Sequence, residues 1–278
     1  MRLDEIQWKE RWIRGWICCL TLTFFLEAFL ANNLFRVRSA RAMTIEVIET
    51  KPEDTFSLEV IAAGTGESIQ RRVYIYHTHT YEAYEMDGEN RYKATESWRT
   101  ADHDYNMVRI GAELAARLRE AGIFVTHDTT DYEPPRLSSA YARSLEGLKQ
   151  AAADGYDLYI DLHRDSYSKG NGPNVIDVEG KPAARLLILI GQGTGSALDE
   201  KPDWETNEKA AQKISDYLNA RAENLCRGVS LKSGRYNQQA ATPSMLIEVG
   251  NNKNTLPEAL NAVEPLARAI CQYFDSLE

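Results

Sequence analysis

The stretch Tyr156-Asp-Leu-Tyr-Ile-Asp-Leu162 predicts a buried β-strand, and His163 follows it directly. Short apolar runs of the same kind recur along the chain, and segments with helical periodicity separate them. Strands that alternate with helices are typical of an α/β fold with a mostly parallel sheet flanked by helices. The other predicted strands span residues 73–76, 123–125, 185–190 and 245–249.

The segments with helical periodicity span residues 105–120, 138–153, 207–226 and 255–277. In the first of them, apolar side chains recur at the three- and four-residue spacing of a helix, and Gly122 suits its C-terminal end. Thr255 and Glu258 form a capping box, which predicts the start of the last helix.

The composition predicts one sizeable globular domain with short additional segments, because 43% of the 278 residues are hydrophobic and 26% are charged. The net charge of -9 disfavours nucleic acid as a partner, since phosphate backbones attract basic surfaces. The chain contains no CxxC pair, which disfavours a structural zinc finger. Cys226 and Cys271 either pair or stay separate buried thiols, and we favour separate thiols.

Residues 15–35 form an apolar segment of about the length that spans a bilayer. Lys9, Arg11 and Arg14 precede it, so the positive-inside rule predicts a single-pass anchor in the cell membrane with the main domain outside the cytoplasm. The alternative is a cleaved signal peptide, for which Ser39-Ala-Arg-Ala42 offers a weak cleavage site. We therefore predict a cytoplasmic N-terminus (1–14), a transmembrane anchor (15–35), a linker or stalk (36–70) and a catalytic domain (71–278).

Three of the predicted strands end in side chains suited to metal or proton chemistry. His79 comes just after the first strand, His163 follows the third, and Glu248 lies near the end of the last. Such groups can meet, because the carboxyl ends of parallel strands share one edge of a sheet. A catalytic zinc site uses three protein ligands, for which His79, His163 and one carboxylate are suited, with Glu248 as general acid and base. The candidates for that carboxylate are Glu82, Glu85 and Asp102.

Several motifs along the chain match one known family. Residues 74–84 read Tyr-Ile-Tyr-His-Thr-His-Thr-Tyr-Glu-Ala-Tyr, and residues 161–165 read Asp-Leu-His-Arg-Asp. Further matching segments are 99–100, 104–108, 127–130, 141–144, 236–238, 245–250 and 254–255. In this order, the motifs resemble those of the stage II sporulation protein P family.

The resemblance implies the fold and site of zinc-dependent N-acetylmuramoyl-L-alanine amidases, which hydrolyse the amide between muramic acid and the stem peptide of peptidoglycan. It also implies an optional endopeptidase activity and a role in wall remodelling during engulfment of the forespore. The implied partners are a membrane protein and a lytic transglycosylase of the same sporulation complex. Matched to the family's motifs, His79 and His163 are zinc ligands and Glu248 is catalytic. The third ligand is expected at Asp102, with Glu82 as the second choice.

Three other functions stay in consideration. One is another zinc hydrolase of the cell wall, either a polysaccharide deacetylase or a peptide endopeptidase. A second is a non-catalytic wall-binding scaffold, which the complete set of His79, His163 and Glu248 disfavours. A third is a cytoplasmic α/β protein, which the apolar segment 15–35 disfavours.

Overall fold

The computed structural model of the protein describes residues 70–169, 174–195 and 200–278. The predicted N-terminus (1–14), the predicted anchor (15–35) and the linker 36–70, apart from its last residue, lie outside the described residues. Within the described ranges, no helix is both long and apolar enough to cross a membrane.

Strands and helices alternate through most of the described domain. In chain order, its strands and α-helices are β1 (Arg72–Tyr76), α1 (Met107–Glu120), β2 (Phe124–His127), α2 (Ala140–Asp154), β3 (Leu158–Asp165), β4 (Val175–Val178), β5 (Lys181–Ala184), β6 (Leu186–Gly191), α3 (Trp204–Arg221), β7 (Cys226–Lys232), β8 (Ser244–Asn251) and α4 (Leu256–Asp275).

Six strands form the main sheet, in the order β2-β1-β3-β8-β6-β7. β1 pairs in parallel with both β2 and β3, and β8 extends the parallel set on the other side of β3. β6 runs antiparallel to β8 and pairs in parallel with β7. The predicted α/β fold with a mostly parallel sheet is therefore confirmed. β4 and β5 form a separate antiparallel hairpin, which the sequence did not predict.

The side chains of β1 alternate between the two faces of the sheet, as they do in any strand. Val73 and Ile75 face the larger core, which α1, α3 and α4 cover. Tyr74 and Tyr76 face a smaller core beneath α2. Helices thus cover both faces of the parallel strands, which explains why the successive side chains of β1 are buried from Val73 to Tyr76.

The prediction of a helix over residues 207–226 is wrong at its C-terminal end. α3 ends at Arg221, Ala222 adopts an extended backbone, and Cys226 begins β7. The side chain of Asn219 accepts the N–H of Cys226 and so stabilises this change of direction. β7 then gains backbone partners from β6, a tertiary contact that the periodicity of one segment does not reveal.

Signals at two helix ends agree with the structure. Thr255 and Glu258 make both hydrogen bonds of the predicted capping box at the start of α4. α1 begins at Met107, slightly later than predicted, because the side chain of Asn106 accepts a backbone N–H of the first turn and caps the helix there.

The two cysteines of the domain do not form a disulfide. Both are free thiols, as favoured, but Cys226 alone is fully buried and Cys271 is half-buried. Burial raises the pKa of both thiols, which keeps them protonated and unreactive near neutral pH.

The imidazole rings of His77, which follows β1, and His127, which ends β2, pack edge-on against each other beneath α1. His77 Nδ1 donates to the carbonyl oxygen of Leu162 over 2.9 Å, so His77 Nε2 accepts the N–H of His127 at 2.8 Å. Burial lowers the pKa of His77 to about 4 and that of His127 to about 3, so both rings are neutral at pH 7. Gly111 of α1 packs against the pair: a Cβ atom there would lie 2.5 Å from His127 Nε2 and 2.6 Å from His77 Nε2.

This contact predicts that a glycine-to-alanine change in α1 lowers the free energy of unfolding, although the same change usually raises it within a helix. Alanine normally stabilises a helix interior by about 1 kcal/mol relative to glycine. We expect Gly111→Ala instead to lower the free energy of unfolding by about 1–3 kcal/mol, because its methyl group overpacks the histidine pair. Urea denaturation measures the change. Ala116→Gly, at an exposed position of the same helix, is the control and should cost about 0.5–1 kcal/mol. A stabilised Gly111→Ala variant would contradict the packing.

Candidate metal centre

The candidate site lies where β1, β3 and β8 end at the same edge of the sheet. These strands are neighbours and parallel, so their carboxyl ends coincide. His163 of β3 is the register partner of Glu248 on β8. His79 and Glu82 lie in the loop after β1, and both side chains contact His163.

His163 lies between two carboxylates and is almost fully buried. Its Nε2 atom is 2.8 Å from Asp161 Oδ1, and its Nδ1 atom is 3.4 Å from Glu82 Oε2. The first contact is close but poorly aligned for a hydrogen bond, so it is best described as an ion pair. Burial alone would lower the pKa of His163, but Asp161 and Glu82 outweigh burial and hold it well above its usual value.

Glu82 is the carboxylate that faces the histidines. Burial would raise its pKa, but His163 and Arg164 outweigh that effect and lower it to about 2, so Glu82 is ionised at pH 7. The backbone N–H of Arg164 donates to Glu82 Oε2 over 3.1 Å. The Arg164 guanidinium donates to the carbonyl oxygens of Ala83 and Trp98, which holds the loop around Glu82 in place.

His79 is neutral at pH 7. Its ring packs edge-on against His163 and Tyr141, with ring centroids 5.3 Å and 5.5 Å away. Burial, followed by the charge on His163, lowers the pKa of His79 to about 4. Its Nδ1 atom is buried and has no hydrogen-bond partner among the described residues.

Glu248 differs from the other carboxylates because it lacks a strong positive partner. Its Oε2 atom is buried and has no hydrogen-bond partner in the part of the chain that the structure describes. Burial raises the pKa of Glu248 to about 8, with the charge on Glu82 adding to the effect against the attraction of His163. A carboxyl group with a pKa near neutrality is suited to accept and return a proton.

The structure brings Glu82, rather than Asp102, to the two histidines. Asp102 is exposed, and its carboxylate accepts the backbone N–H of Asp104. Glu85 is paired with Lys253 at the surface. Among the described residues, neither Asp102 nor Glu85 forms a hydrogen bond, ion pair or ring contact with His79 or His163. The geometry therefore favours Glu82, the second choice made from the sequence.

Sequence reasoning missed Glu133, a fourth carboxylate at the site. It is buried, pairs with Arg99 and accepts the backbone N–H of Tyr81. Glu133 Oε1 lies 3.8 Å from His79 Nδ1. Glu133 belongs to an irregular loop before Pro134, and neither periodicity nor a motif indicates that this loop folds back onto the site.

Asp161 was also missed as a site residue, although a signal was available. In a strand, residues two apart point to the same face, so Asp161 and His163 must be neighbours on β3. The motif Asp-Leu-His therefore already predicts a carboxylate beside the histidine.

The side chains of His79, Glu82, His163 and Glu248 are of types that bind a divalent cation, although their present arrangement is a cluster of charged groups and not a complete set of metal ligands. Within residues 70–169, 174–195 and 200–278, no three side chains of His, Cys, Asp or Glu form a ready metal-binding group. Even so, Glu82 and Asp161 require positive charge, which His163 supplies by holding a proton. A cation near Glu82 satisfies the same requirement, and the unpartnered His79 Nδ1 and Glu248 Oε2 atoms are polar groups suited to such a neighbour.

Two solved structures resemble the fold at low sequence identity. The CwlD amidase from Clostridioides difficile, solved in complex with the GerS lipoprotein, is 15% identical and aligns over 75% of this chain and 100% of its own, with a TM-score of 0.49. An N-acetylmuramoyl-L-alanine amidase of Nostoc punctiforme is 14% identical over 74% of this chain and 97% of its own, with a TM-score of 0.47. At these values, neither similarity carries an argument about chemistry.

The sequence comparisons are more specific. Stage II sporulation protein P of Bacillus subtilis (strain 168) is 27% identical over 255 residues, which cover 86% of this chain and 59% of that protein. The chain thus spans about three fifths of the length of this relative. The family model of stage II sporulation protein P matches residues 38–271, well over half of the chain. The protein belongs to the stage II sporulation protein P family.

Proposed function

We propose that the protein is a zinc-dependent peptidoglycan hydrolase, an N-acetylmuramoyl-L-alanine amidase that remodels the cell wall during sporulation. The observation that carries the proposal is the meeting of His79, Glu82, His163 and Glu248 at one edge of the parallel sheet. Membership of the family supports the sporulation and cell-wall setting.

In this proposal, the residues that would hold the zinc ion are His79, His163 and Glu82. Two histidines and one carboxylate are a common ligand set of catalytic zinc sites. A bound zinc ion supplies Lewis-acid chemistry, because it polarises a carbonyl oxygen and makes water a stronger acid. Arg164 keeps Glu82 ionised and in place, and the low pKa of His79 keeps its ring nitrogens free of a second proton at pH 7.

Glu248 carries the proton during amide hydrolysis. It accepts a proton from the attacking water and returns it to the amine that leaves when the C–N bond breaks, so one carboxylate serves both halves of the reaction. The buried, unpartnered Oε2 atom is the one suited to this exchange. Glu248 acts as a base in its ionised form, which a cation held by the neighbouring residues would favour.

The cellular setting is also part of the proposal. We infer a cell-membrane anchor over residues 15–35, the catalytic domain outside the cytoplasm, and partners that include a membrane protein and a lytic transglycosylase.

Mass spectrometry of purified peptidoglycan digested by the full chain tests the reaction. Released stem peptides with free N-terminal alanine support an amidase, cleaved cross-links indicate an endopeptidase, and released acetate indicates a deacetylase. Intact peptidoglycan would favour the wall-binding scaffold.

The ligand assignment predicts which substitutions weaken zinc binding. His79→Ala, His163→Ala and Glu82→Ala should each lower the zinc affinity of the full chain by at least about 10-fold, because two ligands hold the ion poorly. Competition with a chromogenic chelator measures the affinity. Asp102→Ala should leave it unchanged, since Asp102 is exposed at the surface. If Asp102→Ala loses zinc and Glu82→Ala keeps it, the first choice from the sequence replaces Glu82.

The role of Glu248 predicts a loss of turnover without a loss of zinc. Glu248→Gln keeps the shape of the side chain but removes its basic oxygen, so turnover should fall by about 100-fold or more. Turnover per folded molecule, zinc content and melting temperature are measured together. Glu223→Gln, at an exposed position after α3, is the matched control and should behave as the wild type. A Glu248→Gln variant that melts earlier yet keeps its turnover would make Glu248 a structural residue.

A further inference from the structure

We propose that Asp161 is a positioning residue of the metal centre, which fixes the orientation and the tautomer of His163. The inference rests on the proposed function and adds to it a residue that does not bind the metal itself. The distance of 2.8 Å between Asp161 Oδ1 and His163 Nε2 on one face of β3 is the observation that carries it.

Asp161 is held rigidly from the other side. The backbone N–H of Thr78 donates to Asp161 Oδ1 over 2.8 Å, and the Thr78 hydroxyl donates to Asp161 Oδ2 over 2.7 Å. The Thr78 hydroxyl is itself 2.8 Å from the hydroxyl of Ser144 on α2, which accepts the side-chain N–H of Asn237. All of these residues are buried, so the carboxylate has little freedom to turn away from His163.

The fixed carboxylate determines which ring nitrogen of His163 is available. An ionised carboxylate carries no proton to donate and attracts a positive hydrogen, so Asp161 at 2.8 Å favours the imidazole proton on Nε2. The other nitrogen, Nδ1, then faces Glu82 with a lone pair when the ring is neutral. Histidines that bind metals usually have a carboxylate or carbonyl beside their second ring nitrogen, which is the position that Asp161 occupies here.

The same contacts argue against Asp161 as a ligand. Both of its oxygens already accept hydrogen bonds from Thr78. It also lies at the ring nitrogen of His163 that points away from Glu82, because Asp161 and Glu82 contact different nitrogens. The imidazole ring therefore lies between Asp161 and the side of His163 that faces Glu82, where these two residues would hold a metal ion.

Asp161→Asn tests the proposal in the full chain. Asparagine keeps the size of the side chain and presents its amide oxygen to His163 Nε2, because the backbone N–H of Thr78 donates to the same atom. It removes the negative charge that holds the ring proton on Nε2. The zinc affinity, measured by chelator competition, should fall by about 10–100-fold, while saturating zinc should still load one ion per chain. Asp157→Asn is the matched control, because this carboxylate lies ahead of β3 and accepts the N–H of Arg72 instead. Its zinc affinity should equal that of the wild type.

Thr78→Val provides a second variant in case Asp161→Asn fails to fold. It keeps the carboxylate but removes the hydroxyl that holds Oδ2, so zinc affinity should fall by a smaller factor. Unchanged affinity in the folded Asp161→Asn variant, or in Thr78→Val if only that variant folds, overturns the proposal. Complete loss of zinc from folded Asp161→Asn at saturating zinc also overturns it, because that result makes Asp161 a ligand. A wild-type chain that binds no zinc instead refutes the proposed function itself.

Discussion

Two carboxylates buried within 3.4 Å of one imidazole cannot both keep their charge unless positive charge lies between them. His163 supplies that charge, and it does so against its own burial, which favours the neutral ring. Glu82 receives further support from Arg164, and Asp161 from the two donors of Thr78. The charges of the cluster are thus coupled, because removal of the charge on His163 leaves two buried carboxylates without positive charge between them.

The parallel sheet determines which residues can join this unit. β3 contributes Asp161 and His163 from one face, and the register with β8 sets Glu248 beside His163. The loop after β1 then turns back so that Glu82 contacts His163. Trp98 supports that turn in a left-handed backbone conformation, with a φ of 54°, which is rare for a bulky residue. Its carbonyl oxygen accepts hydrogen bonds from Ala83 and Arg164, so the contacts around Glu82 stabilise the strained residue.

Much of this arrangement follows from the sequence, because strands and their ends are local features. The runs that became β1, β3 and β8 are mostly apolar, and the polar residues at their ends were expected at one edge of the sheet. The choice between Glu82 and Asp102 depends instead on how a long loop folds, and periodicity carries no information about that path. β7 and Glu133 were missed for the same reason, since each is defined by partners distant in the chain.

Glu82 and Glu248 are the same residue type at the same site, yet their surroundings separate their pKa values to about 2 and about 8. Arg164 and His163 surround Glu82 with positive charge, whereas Glu248 has a buried oxygen without a hydrogen bond and carboxylates near by. An ionised carboxylate that is held in place suits a ligand, and one with a pKa near neutrality suits a proton carrier. The difference arises from the contacts of Glu82 with His163 and Arg164 of β3, and not from the glutamates themselves. These surroundings therefore favour the roles given in the proposed function, with Glu82 as the ligand and Glu248 as the acid and base.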